Sequence, residues 1–288
     1  MAMFLFVFFS VASVVYTQYD NDKYNTGTGH WGLSTSRHLL ISMCFGTMIT
    51  GLIFTFAPIS GGNMNPAVSW ALYLTGKLSF LSFVLYVFAQ MLGAALACGC
   101  LKQIASDRYL RAGGAHNAVA DGHTQFEAQV TETICTAFLV FTVMAATDNS
   151  RSESHKHLPI IAPICVGGSV FIAHLTAIPV TGCSINPARS WGAAAASGYW
   201  DDQIVFWVFP LLGATVAAIL YNYFFDKTQV DFAAPENQMK KSHNERGGGG
   251  GNGHRDAKLS DKIVHAPEIL KNKTKKLFGM KVDEDEWA

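Results

Sequence analysis

The chain has 288 residues, of which half are hydrophobic and only 15% are charged, and its formal net charge is zero. A soluble protein of this size usually has about a quarter of its residues charged, so the composition excludes an ordinary soluble globular protein and indicates several membrane spans. The balanced charge gives no argument for nucleic-acid binding. The six cysteines lie in or beside apolar segments, which is not the pattern of a secreted disulfide framework or a zinc site.

The first apolar segment is residues 1–16, which contain no charged side chain. We interpret it as a first span whose beginning is missing, because a spanning helix needs about 20 residues. A signal peptide is the alternative, but the segment has neither a basic beginning nor a small-residue cleavage site. The elements predicted next are a polar loop at 18–37, a second span at 38–57 that ends before Pro58, a third span at 80–101 and a polar loop at 102–125.

The second part of the chain has the same pattern of apolar segments. The elements predicted there are spans at 126–147, 158–178 and 204–225, with a charged loop at 148–157. Glu132 lies inside the fourth span.

A short motif occurs twice, as Asn65-Pro66-Ala67 and as Asn186-Pro187-Ala188. Asparagine is a favourable N-cap, and the fixed φ of proline suits the first position of a helix. The motifs therefore predict two short half-helices, at residues 66–74 and 187–196, each reached by non-helical backbone between apolar spans. Irregular backbone at membrane depth is tolerated only where protein or a water-filled cavity surrounds it, so both motifs are candidate site residues.

The motifs divide the membrane part into two similar halves, residues 1–110 and 111–226, followed by a tail at 227–288. Each half has three spans, and because three is odd, the halves must cross the membrane in opposite directions. This inverted repeat predicts a site at the midplane, where the half-helices meet.

Twelve of the lysines and arginines follow Asp226, which predicts a cytoplasmic C-terminus and, with six spans, a cytoplasmic N-terminus. Three basic residues in the loop assigned to the outside, Lys102, Arg108 and Arg111, oppose this orientation. We expect the tail to be largely disordered. Its basic segment at 271–281 is interpreted as solvated, with contact to anionic lipid or calmodulin as the alternative.

Two Asn-Pro-Ala motifs in opposed halves, the second continuing as Arg189-Ser190, resemble the aquaporin (major intrinsic protein) family, over about residues 3–226. The resemblance implies an all-α polytopic membrane protein with six transmembrane helices and two half-helices. It also implies a homotetramer, in the plasma membrane, that conducts water passively and excludes ions and protons. We expect no cofactor, no metal and no enzymatic activity, because the chain shows no nucleophile–base pair, nucleotide loop or metal cluster.

The resemblance also implies a selectivity filter built from Phe45, His174, Cys183 and Arg189. By this interpretation Phe45 and His174 narrow the pore to about one water, and His174 and Arg189 supply hydrogen-bond donors. Cys183 is expected to expose its thiol to the pore, where a mercurial would block it. Glu132 resembles the buried acid that holds the pore-loop backbone.

Two departures from the family pattern concern the first half. It lacks the acid expected near the start of the first span, and Gly62-Asn63 stands where the family usually has Ala-His. Two alternatives to a water channel stay open at this stage. One is a wider pore for neutral solutes such as hydrogen peroxide, ammonia or glycerol, although His174 and Ser190 favour water over glycerol. The other is a non-conducting junction or signalling protein on the same fold.

Overall fold

The computed structural model describes the backbone of residues 1–23, 30–148 and 158–225, and the side chains of 1–17, 36–148 and 160–225. The chain separates into a unit over Met1–Asp226 and a unit over Lys227–Ala288. The second unit lies outside the described residues, and so do the predictions for the tail and for most of the loop at 148–157.

The described residues form nine α-helices and one short 3-10 helix, with no strand among them. The all-α prediction is therefore confirmed for this part of the chain. The α-helices are α1 (Ala2–Lys23), α2 (His30–Ser60), α3 (Pro66–Leu74), α4 (Phe80–Ile104), α5 (Ser106–Arg111), α6 (Gln125–Ala146), α7 (Leu158–Thr181), α8 (Pro187–Ser197) and α9 (Gln203–Phe225).

Five of these helices, α2, α4, α6, α7 and α9, are long and apolar enough to cross a membrane. Helix α1 is apolar over its shorter segment Ala2–Thr17. The half-helix α3 has the predicted bounds, and α8 extends one residue beyond its predicted end. A polytopic membrane protein is thus the architecture that the described helices support.

The prediction that the second span ends before Pro58 was wrong, because α2 continues to Ser60. A proline costs an internal helix one backbone hydrogen bond, but here it lies in the last turn, where the penalty is smallest. Gly61, with φ of 70°, ends the helix, and its N–H donates to the Ala57 carbonyl at 3.0 Å. A left-handed glycine after the last turn is a common helix stop.

The segment at 102–125, predicted as a polar loop, contains the end of α4, the short helix α5 and the 3-10 helix Gly113–Ala115. Two of its basic residues have structural partners. Lys102 Nζ donates to the Ala196 carbonyl at 2.7 Å, at the C-terminal end of α8, and the Arg108 guanidinium lies 5.2 Å from the centre of the Tyr16 ring. A cation at a helix C-terminus is favourable, which explains the position of Lys102, and Arg108 contacts an aromatic ring. Because both charges have structural partners, they are weaker evidence against the predicted orientation.

The helices approach each other closely at glycines. At the crossing of α2 and α7, a Cβ added to Gly46 would lie 2.7 Å from Phe171 Cβ and 2.8 Å from the Gly167 carbonyl oxygen. Gly167 occupies the equivalent position in the second half, 121 residues later, and would meet the Gly46 carbonyl oxygen at 2.5 Å. Small residues allow such close packing between helices in lipid. This contact fixes the distance between α2 and α7, which carry two of the predicted filter residues.

The two halves also repeat their helix pairings. Helix α1 packs against α4 in the first half, and α6 packs against α9 in the second. Helix α3 lies against α4 and α9, and α8 lies mainly against α4. Each half-helix is thus enclosed by full-length helices of both halves, so that its start is held in the protein interior.

Candidate functional site

The two Asn-Pro-Ala motifs form the starts of α3 and α8. The Asn65 side-chain oxygen accepts from the Ala67 N–H at 2.9 Å, and the Asn186 oxygen accepts from the Arg189 N–H at 3.4 Å. In both helices the proline occupies the first turn. Each motif therefore caps a half-helix and fixes its asparagine amide at the helix start.

The capping asparagines also join the two half-helices directly. Asn65 Nδ2 donates to the Ile185 carbonyl at 2.7 Å, and Asn186 Nδ2 donates to the Met64 carbonyl at 2.9 Å. The donors and the acceptors are each 121 residues apart, so the two hydrogen bonds are related by the repeat. A side-chain amide has two N–H groups, which leaves each asparagine one further donor. Both asparagines line a cavity, so the remaining donors lie at its wall.

This cavity, which we call the pore cavity, has a volume of about 260 Å³. Both half-helix starts and both loops that lead to them lie along it, together with aliphatic side chains of α2, α3, α6 and α7. The remaining wall is therefore poor in groups that bind a polar solute. The aliphatic lining includes Ile49, Ile53, Val68, Leu72, Leu139, Val143, Val166 and Val170.

A second cavity of about 620 Å³, which we call the vestibule cavity, lies beyond Arg189. Its described lining comes from α1, α2, α7 and the segment around Ala115 and His116. Arg189 is the only residue that lines both cavities among those described. The two cavities therefore adjoin at Arg189.

Three of the four predicted filter residues come together at this junction. The rings of Phe45 and His174 have their centres 4.1 Å apart, and the Arg189 guanidinium carbon lies 5.7 Å from the centre of the Phe45 ring. All three side chains are buried. Phe45 comes from α2, His174 from α7 and Arg189 from α8, so the close α2–α7 packing described above sets their spacing. We call this cluster of Phe45, His174 and Arg189 the constriction.

Two buried polar atoms at this constriction have no hydrogen-bond partner in the described structure: His174 Nε2 and Arg189 Nε. His174 Nδ1 lies 2.9 Å from the Val170 carbonyl, which can only accept, so Nδ1 carries the proton. A neutral His174 then offers Nε2 as an acceptor, whereas the sequence led us to expect a donor. Arg189 supplies the donor. A water molecule, which both donates and accepts, suits this pair.

Arg189 is held from the segment after the 3-10 helix. Its Nη1 donates to the Ala115 carbonyl at 2.8 Å and to Asn117 Oδ1 at 2.7 Å. Asn117 Oδ1 also accepts from the Ser190 hydroxyl at 2.7 Å, and its Nδ2 donates to the Thr181 carbonyl at 3.1 Å. Sequence reasoning missed Asn117, because one asparagine in a polar loop carries no signal of a contact 72 residues away.

Glu132 lies against the second pore loop, as the resemblance implied. Its Oε1 accepts from the Thr181 hydroxyl at 2.7 Å and the Ser184 N–H at 2.8 Å, and its Oε2 accepts from the Ile185 N–H at 2.7 Å. The carboxyl group is fully buried. Buried polar groups need such partners, and the three bonds fix the backbone just before Asn186.

The first pore loop has a different partner. Gln90 Nε2, from α4, donates to the Asn63 carbonyl at 3.1 Å and to the Ser69 hydroxyl at 3.0 Å. Gln90 is almost completely buried. Gln90 was not among the predicted site residues, because a single glutamine within an apolar span does not indicate which loop it will contact. In the first half, the Gln90 amide therefore donates to a loop carbonyl. In the second half, Glu132 accepts from loop N–H groups instead.

The structure contradicts the expected exposure of Cys183. Its side chain is 0% exposed, and the residue lines neither the pore cavity nor the vestibule cavity. The backbone at Cys183 has φ of 58°, and its N–H donates to the Thr181 hydroxyl at 3.1 Å. A left-handed backbone turns the side chain in a direction that residue spacing does not reveal.

The chain belongs to the major intrinsic protein family, whose family profile matches residues 1–221. It is 42% identical to "Aquaporin PIP2-4" of Zea mays over 229 residues, which cover 77% of this chain and 78% of that protein. It is 43% identical to "Probable aquaporin PIP2-8" of Arabidopsis thaliana over 226 residues, with the same coverage.

The fold also matches a solved structure, titled "X-ray structure of the aquaglyceroporin from Plasmodium falciparum". The TM-score is 0.62 at 22% identity, and the match covers 80% of this chain and 97% of that one. At this identity the likeness concerns the fold alone. The predicted aquaporin fold is confirmed.

Proposed function

We propose that the protein is a passive, osmotically driven water channel that excludes ions and protons. The observation that carries the proposal lies at Arg189, which lines both the pore cavity and the vestibule cavity. There the Arg189 Nε donor and the His174 Nε2 acceptor have no protein partner, as a passing water requires. The relatives support this assignment, since each carries the name aquaporin. A channel of this kind is not an enzyme, and none of the described residues forms a group that could hold a metal ion.

Charge exclusion follows from the two half-helices. Each helix N-terminus carries roughly half a positive charge, and the ends of α3 and α8 meet at Asn65 and Asn186. A cation at this point faces two positive ends with little water to solvate it, and this electrostatic barrier also opposes protons. The free N–H groups of the two asparagines orient a passing water so that it cannot relay a proton along the pore.

Size selection follows from the constriction. We assign the filter to Phe45, His174 and Arg189, without Cys183, which lines neither cavity. The two rings are in contact, with centres 4.1 Å apart, and the Arg189 guanidinium carbon lies 5.7 Å from the centre of the Phe45 ring. We infer that this bulky cluster narrows the passage enough to exclude glycerol. This favours the water channel over a wider neutral-solute channel. The two half-helix starts with their asparagine amides, and the Arg189 side chain between the two cavities, favour it over a non-conducting protein.

Stopped-flow light scattering of proteoliposomes tests the proposal. The full chain should give water permeability well above that of empty liposomes, with glycerol uptake at the background rate. Water permeability equal to that of empty liposomes, in vesicles shown to contain folded protein, would refute the assignment. Fast glycerol uptake would instead support the wider channel.

We further propose the organisation expected from the sequence, with pore halves at residues 1–110 and 111–226 and a tail at 227–288. We assign the protein to the plasma membrane as a homotetramer. Both termini are assigned to the cytoplasmic side, and the vestibule cavity then opens to the outside. Epitope tags at the termini, stained before and after permeabilising cells, test the orientation. Chemical cross-linking in membranes tests the tetramer.

We propose that the basic segment of the tail at 271–281 is solvated, with contact to anionic lipid as the alternative because Leu, Phe and Met lie among its lysines. A peptide of this segment should then bind neither neutral vesicles nor vesicles that contain phosphatidylserine, and binding to the latter alone would support the lipid contact. Binding to calcium-loaded calmodulin in preference to either vesicle would support calmodulin as the partner instead.

A further inference from the structure

The pore cavity extends along α2 away from the constriction. Its lining residues on this helix follow one another at about one helical turn, from Phe45 through Ile49 and Ile53 to Ala57. Because an α-helix rises about 1.5 Å per residue, the step from Phe45 to Ala57 covers about 18 Å. The cavity therefore has a second end, near Ala57, which is well separated from the three filter side chains. We call it the far end.

Asn63 lies at the far end. It follows Gly61 and Gly62, whose φ angles of 70° and 66° turn the chain after α2. A Cβ added to Gly62 would lie 3.5 Å from Ala57, and Asn63 Nδ2 lies 3.9 Å from the position of a Cβ on Gly61. All four residues line the pore cavity. The Asn63 amide is thus placed beside the backbone that forms this end of the cavity.

The Asn63 amide makes no hydrogen bond with another residue in the described part of the chain. An amide offers two N–H donors and one acceptor oxygen, so all of its polar capacity remains available. Only the backbone of Asn63 is engaged, since its carbonyl accepts from Gln90 Nε2 at 3.1 Å. The side chain is partly exposed although the residues that follow it are buried. The contacts that hold the first pore loop therefore do not account for this amide.

The other polar side chains of the pore cavity, outside the constriction, are engaged in the protein. The Thr147 hydroxyl donates to the Val143 carbonyl at 2.9 Å, and the Ser184 hydroxyl lies 2.6 Å from the Ser190 hydroxyl. The two capping asparagines each use their oxygen and one N–H, as described above. Asn63 is thus the lining residue, among those described, that offers both a free amide oxygen and two free N–H groups.

We propose that Asn63 is a second water-binding residue of the pore, at the far end of the pore cavity, and that it sets the rate at which water crosses this part of the channel. The wall between the capping asparagines and the far end is largely aliphatic, so a water molecule there loses hydrogen bonds. An amide that both donates and accepts replaces some of them. The inference rests on the proposed function, because it assigns a further residue to the same pore.

The first test is Asn63→Leu, which keeps the approximate size of the side chain and removes its polar groups. Water permeability per folded protein should fall about three-fold to ten-fold, the range expected when one hydrogen bond is lost at a rate-limiting point. The melting temperature should not fall, because no contact with another side chain is lost. Asn63→Ser, which keeps a donor and an acceptor, should recover part of the permeability.

Thr55→Val is the matched control, since Thr55 is an exposed residue of α2 that does not line the pore cavity. It also removes one polar group, and it should leave water permeability unchanged. Wild-type permeability in Asn63→Leu would overturn the inference and leave the water channel intact. A fall in permeability together with a lower melting temperature would show a structural role for Asn63 and would overturn it as well.

The second test reports the position of the side chain without depending on conduction. Asn63→Cys in the purified full chain should react with one more molecule of a small methanethiosulfonate reagent than the wild type does, counted by mass spectrometry. In proteoliposomes the same modification should block water flux, because the added group occupies a cavity of only about 260 Å³. Thr55→Cys, treated in the same way, should keep its permeability.

The outcomes separate this inference from the proposed function. No additional label on Asn63→Cys, or complete labelling with unchanged flux, would overturn the placement of Asn63 in the pore while the wild type still conducts. A wild type without water flux would refute the proposed function itself, and the labelling of Asn63→Cys would still show whether this side chain is accessible in the cavity.

Discussion

Asn117 is the residue through which the structure connects the segment after the 3-10 helix to the filter, and its replacement tests that connection. Asn117→Ala would remove the acceptor for the Arg189 guanidinium and for the Ser190 hydroxyl, and the donor to the Thr181 carbonyl. All these groups are buried. Ala115 O would remain as the only protein acceptor for Arg189 among the contacts of its described side chain.

The size of the effect follows from these three bonds. A hydrogen bond to a charged group contributes about 1.5–3 kcal/mol and a neutral one about 1 kcal/mol, so Asn117→Ala should cost roughly 3–5 kcal/mol in the folded state. Much of this cost is local, because the guanidinium can turn toward the vestibule cavity to find water. Water permeability per folded protein should then fall about ten-fold or more, since the donor at the constriction is displaced.

The assay is stopped-flow water permeability, normalised to folded protein in the vesicles, with thermal unfolding measured in parallel. Asn117→Asp should recover part of both properties, because it keeps the acceptor for Arg189 and loses only the donor to Thr181. Asp121→Asn, an exposed position in the same loop, is the control. Asn117→Ala with wild-type permeability and stability would show that this contact does not position the filter.

Three further predictions follow from the same contacts. Gly167→Ala should lower the free energy of unfolding by about 1–3 kcal/mol or prevent assembly, because its Cβ would lie 2.5 Å from a carbonyl oxygen of the facing helix. Gly168→Ala is the control, since a Cβ there meets no atom within 4 Å. Equal thermal unfolding of the two variants would contradict the close crossing. Replacing His174 with alanine and Arg189 with valine should admit glycerol, measured as uptake by proteoliposomes, and unchanged glycerol exclusion would refute the filter assignment. Brief treatment with mercuric chloride should leave water permeability unchanged, because the Cys183 thiol is buried; a rapid block that Cys183→Ser abolishes would show that the thiol reaches the pore.

Local sequence signals predicted the half-helices well and their surroundings less well. Asn65-Pro66 determines a helix start almost by itself, since the cap and the fixed φ act within a few residues. Pro58 led to a wrong end for α2. A proline ends a helix only where its missing N–H would have made a hydrogen bond that the helix needs, and Pro58 lies in the last turn. The helical turns of the segment at 102–125 have few apolar residues, so no hydrophobic period indicated them.

The supports of the filter were harder to predict than the filter itself. Arg189 stands out in sequence as a charge at membrane depth. Asn117 and Gln90 do not, since their roles depend on which loop the fold brings to them. The direction of the Cys183 thiol depends on a left-handed backbone that spacing from Asn186 cannot reveal. The family resemblance placed Cys183 in the second pore loop, but the direction of its side chain depends on the three-dimensional path of that loop.

The two halves of the pore share their caps and differ in what holds them. In the second half, Glu132 accepts from two loop N–H groups and a hydroxyl, which fixes the backbone before Asn186 by three bonds. In the first half, the amide of Gln90 donates to a loop carbonyl, a contact of the opposite polarity. Glu132 makes three hydrogen bonds to the second loop, whereas Gln90 makes one to the first, so the second loop is held more tightly. That loop leads into the half-helix that carries Arg189. The stronger support therefore lies in the half where a small displacement would change which molecules pass.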